Sequence, residues 1–316
     1  MNEIKNKLKA VMIGHAAGDA LGVPVEFCTR EELAKHPVTS MRGFGSYPVP
    51  AGAWSDDTSM SLAALDVLAS KGADYEAIMR NFVLWYEVGD FTPTGEMFDI
   101  GRTCCTAIRR YLSGEKTALE CGSDDENSNG NGSLMRIHPF VLYAFAVNLP
   151  FENWMDMIRK GSALTHAHER SLIGCLIYAF VLLHLLKEPS LYSVQNALLR
   201  AECHLRDSTE LHHYDRIFRH DFPALPCDEI KSSGYVVDTL EAALWCLLTT
   251  KGYRDCVLKA VNLGEDTDSI AAVAGGLAGA LYGYDSIPKE WLDTLIRHDY
   301  IEKLCERTAE SVAIRS

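Results

Sequence analysis

Two acidic clusters that lie far apart in the chain carry residue types suited to metal chemistry: Ser55-Asp56-Asp57-Thr58 and Glu265-Asp266-Thr267-Asp268-Ser269. Each opens a stretch of small and apolar residues, Ser59 to Leu65 in one case and Ile270 to Val273 in the other. Capping is one account of such residues, because carboxylates at a helix N-terminus gain ~0.3–1 kcal/mol from the macrodipole, and Ser55 has the chemistry of an N-cap. Paired carboxylates with flanking hydroxyls exceed what capping needs. If the two helices converge, four carboxylates share a small volume, and cations or protonation must relieve their repulsion. The donors Ser55, Asp56, Asp57, Asp266, Asp268 and Ser269 offer only oxygen, which favours Mg2+ or Mn2+ over zinc. Two such cations could hold vicinal hydroxyls of a substrate and activate water.

Other residues gain meaning beside these clusters. Glu26 follows the segment Gly18-Asp19-Ala20-Leu21-Gly22, and is a candidate metal ligand or general base. Asp99 sits between Phe98 and Ile100, apolar neighbours that desolvate a carboxyl and raise its pKa toward acid–base use. In Asn129-Gly130-Asn131-Gly132-Ser133-Leu134-Met135-Arg136 a glycine-rich turn precedes a helical segment, so its backbone N–H groups are placed to cradle phosphate, although two Asn-Gly turns also make an ordinary loop. His166 is a candidate contact to phosphate or ribose, and Tyr235 a candidate platform for a base or ribose; a helix-start histidine and a core aromatic are the alternatives.

The elements that must position these groups are helical. Apolar residues repeat with helical spacing over Ile4 to Leu21, Ser59 to Ser70, Tyr75 to Val88, Gly101 to Leu112, Arg170 to Leu186, Leu191 to Cys203, Tyr235 to Leu248, Tyr253 to Val261 and Ile270 to Leu281, and strand-like alternation is scarce. The expected fold is therefore all-α. Gly14, Gly18 and Gly22 recur every four residues, and Gly275, Gly276 and Gly279 sit in the last of these segments. Glycine costs ~1 kcal/mol against alanine inside a helix, so its repetition predicts backbones in close contact. Polar punctuation at Thr39 to Ala53, Gly122 to Gly132 and His220 to Ser233 is expected to form functional loops. No composition shift or fixed repeat divides the 316 residues, which predicts one domain over 1–316.

Composition narrows the class of partners. With 43 acidic against 30 basic side chains, the net charge of −13 disfavours nonspecific nucleic-acid binding. Ten cysteines lack a CxxC pair or framework spacing, as expected of reduced thiols in a cytoplasmic protein. His15 and Asp19 interrupt the N-terminal apolar stretch before it could serve as a signal peptide, and the longest apolar run, Ile270 to Tyr282, is shorter than the roughly 20 residues a bilayer requires. The expectation is a soluble, cytoplasmic monomer with no membrane association.

At these residues the chain resembles the ADP-ribosylglycohydrolases, in particular the bacterial dinitrogenase-reductase-activating glycohydrolase type. The matching motifs run in order from Gly18 to Gly279: the Gly-Asp-Ala-Leu-Gly stretch leading to Glu26, Ser-Asp-Asp-Thr at 55–58, Phe-Asp-Ile-Gly at 98–101, the loop at 130–136, Thr165-His166, Gly234 to Leu244, and Gly264 to Ser269. The resemblance implies an all-α helix bundle of orthogonal packing around a dinuclear Mg2+ or Mn2+ site held by Ser55, Asp56, Asp57, Asp266, Asp268 and Ser269, with Glu26 beside it. It also implies a diphosphate and ribose pocket lined by Asn129, Gly130, Asn131, Gly132, Ser133, Met135, Arg136 and His166, with Tyr235 near the adenosine. Asp99 matches an aspartate of the arginine-directed branch, which implies an ADP-ribosylated protein as substrate and ADP-ribose as product. Glu26, Asp99 and Asp56 are the expected catalytic residues. Serine-linked ADP-ribose, O-acetyl-ADP-ribose, a two-metal phosphoesterase and a binding-only pseudoenzyme are the alternatives. Ser55 and Ser269 stand where threonine is often found in that family, Glu265 where glycine is frequent and Asp238 where histidine is common.

Overall fold

A computed structural model describes residues 2–315. Fifteen α-helices occur among them: α1 (Asn2–Gly22), α2 (Arg30–Lys35), α3 (Asp56–Lys71), α4 (Tyr75–Val88), α5 (Arg102–Leu112), α6 (His138–Ala146), α7 (Phe151–Ala163), α8 (Glu169–Lys187), α9 (Leu191–Leu205), α10 (Asp215–Phe218), α11 (Val236–Leu248), α12 (Tyr253–Val261), α13 (Thr267–Tyr282), α14 (Lys289–Thr294) and α15 (His298–Arg315). No β-sheet forms among the described residues; two isolated bridges join Ser123 to His166 and Gly130 to Tyr235. The fold is all-α, and every helical segment read from periodicity is present with ends displaced by a few residues at most. Six further helices, α2, α6, α7, α10, α14 and α15, complete the architecture.

The centre is the pair α1 and α13, which run against each other along most of their length. Here the glycine spacing has its structural cause. A Cβ on Gly18 would fall on the Ala271 carbonyl, one on Gly22 on the backbone of Thr267 and Asp268, and one on Gly279 on the Ala10 carbonyl. Helices cannot approach this closely through side chains, so the glycines set the interaxial distance. Around this pair, α13 packs on α8, α11 and α12, and α3 packs on α4, α6 and α15. One continuous apolar core runs through these helices, from Leu8 in α1 to Ala309 in α15.

Although Ile270 to Tyr282 is the longest uninterrupted apolar run, it is α8, interrupted by His184 and with charged ends, whose 19 residues are long and apolar enough to cross a membrane. Its apolar window is 83% buried by the rest of the protein, which marks it as a central core helix. All ten cysteines are free thiols.

Candidate active site

The close packing of α1 on α13 brings the N-termini of α3 and α13 together. Ser55 is the N-cap of α3, its hydroxyl accepting from the Asp57 N–H, and Asp56 and Asp57 form the first turn. Asp266 is the N-cap of α13, with Asp268 in its first turn. Within the first cluster the Ser55 hydroxyl donates to Asp57 Oδ2 at 3.0 Å, and the two clusters touch directly where the Ser269 hydroxyl donates to the same oxygen at 3.2 Å across 212 residues of chain. The other Asp57 oxygen, Oδ1, is buried without a hydrogen-bond partner.

One member of the cluster was not singled out from sequence. Asp19 appears there only as a charge interrupting an apolar stretch, yet from α1 its carboxylate accepts from the Ser55 N–H at 2.9 Å, the Thr58 N–H at 3.0 Å and the Thr58 hydroxyl at 2.6 Å. It therefore caps α3 from a different helix. Carboxylate oxygens of Asp19, Asp57 and Asp268 lie within 4.8 Å of one another, as do those of Glu26, Asp266 and Asp268, and either group could hold a metal ion. No sequence signal short of the three-dimensional convergence identifies Asp19, because its partners are 36 and 39 residues away.

Burial and mutual repulsion dominate the electrostatics. Desolvation first, and then neighbouring carboxylates, push Asp56, Asp57 and Asp268 well above the ordinary range. Glu26 is raised to about 8, by burial and then by Asp99, and Asp19 to about 6 by burial. Asp99 and Asp266 are raised as well, burial again being the largest cause. A set of crowded, desolvated carboxylates with orphaned oxygens, Asp57 Oδ1 and Glu26 Oε2, is complementary to divalent cations with hard-ligand preferences.

Above the cluster opens a cleft of about 610 Å³, ample for a ligand the size of a dinucleotide half. Asp56, Asp99, Glu26, Asp266, Asp268 and Ser269 line its floor and one side; Gly130, Asn131, Gly132, Met135 and His166 line another. Ser55 and Asp57 stand behind this surface, in contact with it through Ser269. Asn131 joins the two sides, donating from Nδ2 to Asp266 Oδ2 at 2.6 Å and to Thr239 at 2.9 Å.

Four residues of the expected substrate set do not line the cleft. Arg136 is fully buried, and its guanidinium donates to the Gly161 carbonyl at 3.0 Å and the Thr165 hydroxyl at 2.7 Å. Thr165 in turn bonds His166 Nδ1 at 2.8 Å. The other ring nitrogen, Nε2, faces Gly130 and Gly132. Burial lowers His166 to about 3, so it is a neutral imidazole that presents Nε2 to the cleft. Arg136 thus acts behind His166. The Ser133 hydroxyl accepts from Ser162 at 2.8 Å, and Asn129 is spent within the fold, accepting from Ser171 at 2.8 Å and from the Val236 N–H at 3.0 Å. Tyr235 is half-buried with its ring 6.0 Å from the Arg170 guanidinium. Glycine-rich sequence reveals a loop but not which way its flanking side chains turn. Asn131 also donates its backbone N–H to the Gly234 carbonyl at 2.9 Å, which removes one donor from the expected phosphate cradle.

The cleft has further lining residues outside the expected site. Arg102, at the start of α5, is the one cationic side chain lining it among the described residues, and Phe27 and Glu265 form part of its rim. Glu265 adopts φ +62°, in the left-handed region, which accounts physically for the glycine frequent at that position. Asp238 accepts from the Ser233 hydroxyl at 2.7 Å and does not line the cleft.

This all-α fold, in which a central helix pair assembles an acidic floor beneath an open cleft, has known relatives. The family model for ADP-ribosylglycohydrolase matches residues 1–315, and the chain belongs to that family. It is 34% identical over 310 residues to the ADP-ribosylarginine hydrolase Tri1 of Serratia proteamaculans, covering 97% of this chain and 80% of the relative. It is 32% identical to the ADP-ribosyl-[dinitrogen reductase] glycohydrolase of Rhodospirillum rubrum, covering 92% and 91%. A solved ADP-ribosylglycohydrolase-related protein complex superposes with a TM-score of 0.81 at 29% identity, over 99% of this chain and all of that one.

Proposed function

We propose that this protein hydrolyses the N-glycosidic bond between ADP-ribose and an arginine side chain of a modified protein. The observation that carries this is the direct Ser269–Asp57 contact, which fuses the two acidic clusters into one floor beneath a cleft that also presents Glu26 and Asp99. The names of the Serratia and Rhodospirillum relatives support the arginine linkage.

Ser55, Asp56, Asp57, Asp266, Asp268 and Ser269 would hold two divalent cations, Mg2+ or Mn2+, which would supply positive charge to attract ribose hydroxyls and to offset charge as the glycosidic bond breaks. The residues of the chain perform the proton steps. Asp99, whose carboxyl burial keeps protonated more readily than a free aspartate, holds the leaving guanidine and gives its proton to the departing nitrogen as the C–N bond breaks. Glu26, raised to about 8 without metal, would be brought into its ionised form by the positive charge of bound cations, and it then accepts a proton from the water whose oxygen attacks the anomeric carbon, through an oxocarbenium-like transition state. Proton transfer then returns Asp99 to its acid form. Asn131 and Nε2 of His166 orient the ribose and diphosphate from the opposite wall.

The test is incubation with an arginine-ADP-ribosylated protein in Mg2+ or Mn2+, and again in EDTA, with the small product identified by mass. Release of intact ADP-ribose that EDTA abolishes is the expected result. AMP or phosphate would replace hydrolysis of the glycosidic bond with phosphoester cleavage, and tight ADP-ribose binding without release would mean a binding protein. In Asp99→Asn, kcat should fall by about 10²-fold or more while metal affinity stays near wild type; equal loss of metal in Asp99→Asn and Asp56→Ala would refute this division of roles.

A further inference from the structure

Directly after Glu26, the backbone of Phe27 takes φ +67°, and across from it Glu265 takes φ +62°. The two are locked side by side by a reciprocal pair of bonds, the Phe27 N–H to the Glu265 carbonyl at 2.7 Å and the Glu265 N–H to the Cys28 carbonyl at 2.7 Å. A left-handed conformation is unfavourable for a side chain as bulky as phenylalanine and persists only where its surroundings impose it. Its effect here is to turn the ring out of the protein: Phe27 is 71% exposed while still lining the cleft, and Glu265 beside it is exposed as well. Folding gains nothing from an apolar ring left in water. Inward from Phe27 the aromatic surface continues, with the Tyr47 ring 6.5 Å from Phe27 and 5.0 Å from Phe98, the residue immediately before Asp99.

We propose that Phe27 and Glu265 form a docking lip for the polypeptide that carries the modified arginine, favouring a basic or apolar residue next to it. The proposal rests on Asp99 receiving the leaving guanidine, since the arginine backbone must then leave the cleft past the rim nearest Asp99. Phe27 and Asp99 both line the cleft, and the Tyr47 and Phe98 rings connect them behind its surface, so Phe27 is the exposed end of that side. The chemistry of the lip fits such a partner: an exposed aromatic face attracts apolar groups and cations, and the neighbouring carboxylate, on a chain of net charge −13, attracts basic side chains. An interface anchored by one aromatic residue and one charge suits a substrate that must be released after each turnover.

Phe27→Gly and Glu265→Gly, singly and together, test it, because glycine accepts the φ of both positions and the fold is not strained by the change. Steady-state kinetics are measured on free ADP-ribosylarginine and on ADP-ribosylated peptides whose residue beside the arginine is Lys, Leu or Asp. The double variant should raise KM for the Lys and Leu peptides by about tenfold, the loss typical of truncating an interface anchor, while kcat and KM for ADP-ribosylarginine stay within about twofold. The Asp peptide should be the poorest wild-type substrate and gain from Glu265→Gly. An equal rise of KM for ADP-ribosylarginine would show that the lip touches ADP-ribose instead, and unchanged peptide KM would remove the lip altogether; either overturns the proposal. Full turnover of ADP-ribosylarginine by Asp99→Asn would instead refute the orientation on which the lip depends, whatever the glycine variants do.

Discussion

Glycines in α1 set the distance to α13, so adding a single methyl group there should act on metal binding in proportion to where it falls. At Gly22 the new Cβ would meet the backbone of Thr267 and the N and Cα of Asp268, whereas at Gly14 it would meet the Gly275 carbonyl at 2.6 Å and the Tyr253 ring at 3.2 Å. Both changes require the helices to part by roughly half an ångström or more, because packed backbone has no free space to absorb a methyl. Both also gain ~1 kcal/mol of helix propensity against an overpacking cost of ~1–3 kcal/mol, so the net loss of stability should be about 0–2 kcal/mol in each case. The consequences for the site differ. Metal–ligand distances tolerate only about ±0.2 Å. Gly22→Ala displaces Asp268 itself, while Gly14→Ala pushes on a residue seven positions further along α13, about 10 Å away at 1.5 Å per residue.

Titration calorimetry with Mn2+, alongside thermal unfolding of the EDTA-treated proteins, separates these effects. We expect Gly22→Ala to bind Mn2+ about 10–100-fold more weakly than wild type, the range seen when groups supporting metal ligands are disturbed, and Gly14→Ala to stay within about threefold, at similar losses of Tm. Equal Mn2+ affinities in the two variants would refute the claim that the glycine-set interface positions the ligands. So would a loss of affinity that merely follows Tm.

Asp19→Ala removes the acceptor of three hydrogen bonds at the start of α3; unfolding should show a loss of ~1–3 kcal/mol, and calorimetry a weaker Mn2+ site even where the variant is fully folded. Stability of the metal-free protein should fall as pH rises: Glu26 is held at about 8 and Asp19 at about 6 against ordinary values of 4.5 and 3.8, so the folded state binds these protons more tightly and their contribution is full below the ordinary values and lost as pH passes 6 and then 8. Tm measured in EDTA across that range should decline, saturating Mn2+ should flatten the decline, and a flat profile in EDTA would contradict the crowding of the carboxylates. Arg102→Gln should weaken ADP-ribose binding by about 3–10-fold and reduce its salt dependence, since Arg102 is the cation available to the diphosphate on the cleft wall; unchanged affinity would place Arg102 outside the diphosphate's reach.

Much of this architecture is legible in the sequence because it rests on local rules. Helical periodicity, the four-residue glycine spacing and the acid-rich starts of α3 and α13 are each visible within one segment, and together they point to the all-α fold and to a site shared by the two clusters if their helices converge, as the Ser269–Asp57 contact shows they do. What stays hidden is direction. Arg136 and His166 both look like cleft residues in their motifs, but only His166 faces the cleft, because the guanidinium of Arg136 is turned inward by Gly161 and Thr165. Asp19 reads as an interruption of an apolar helix, since the groups it caps come from another element. Phe27 gives no periodic signal at all; its exposure follows from a positive φ that the residue type disfavours.

The same physics explains why the site is divided between distant segments rather than gathered in one motif. A single helix start can present two or three carboxylates before their repulsion outweighs the favourable helix dipole, worth ~0.3–1 kcal/mol per charge. Meeting a second helix start doubles the number of oxygen donors, and each dipole contributes positive potential at the same point. The meeting requires backbones closer than side chains normally allow, which is what Gly18 and Gly22 on α1 supply against Ala271 and Asp268 on α13. Asp19 lies between those two glycines and carries the link onward to α3. The Gly-Asp-Ala-Leu-Gly segment is therefore the mechanical joint of the site, although its own side chains do none of the proton chemistry.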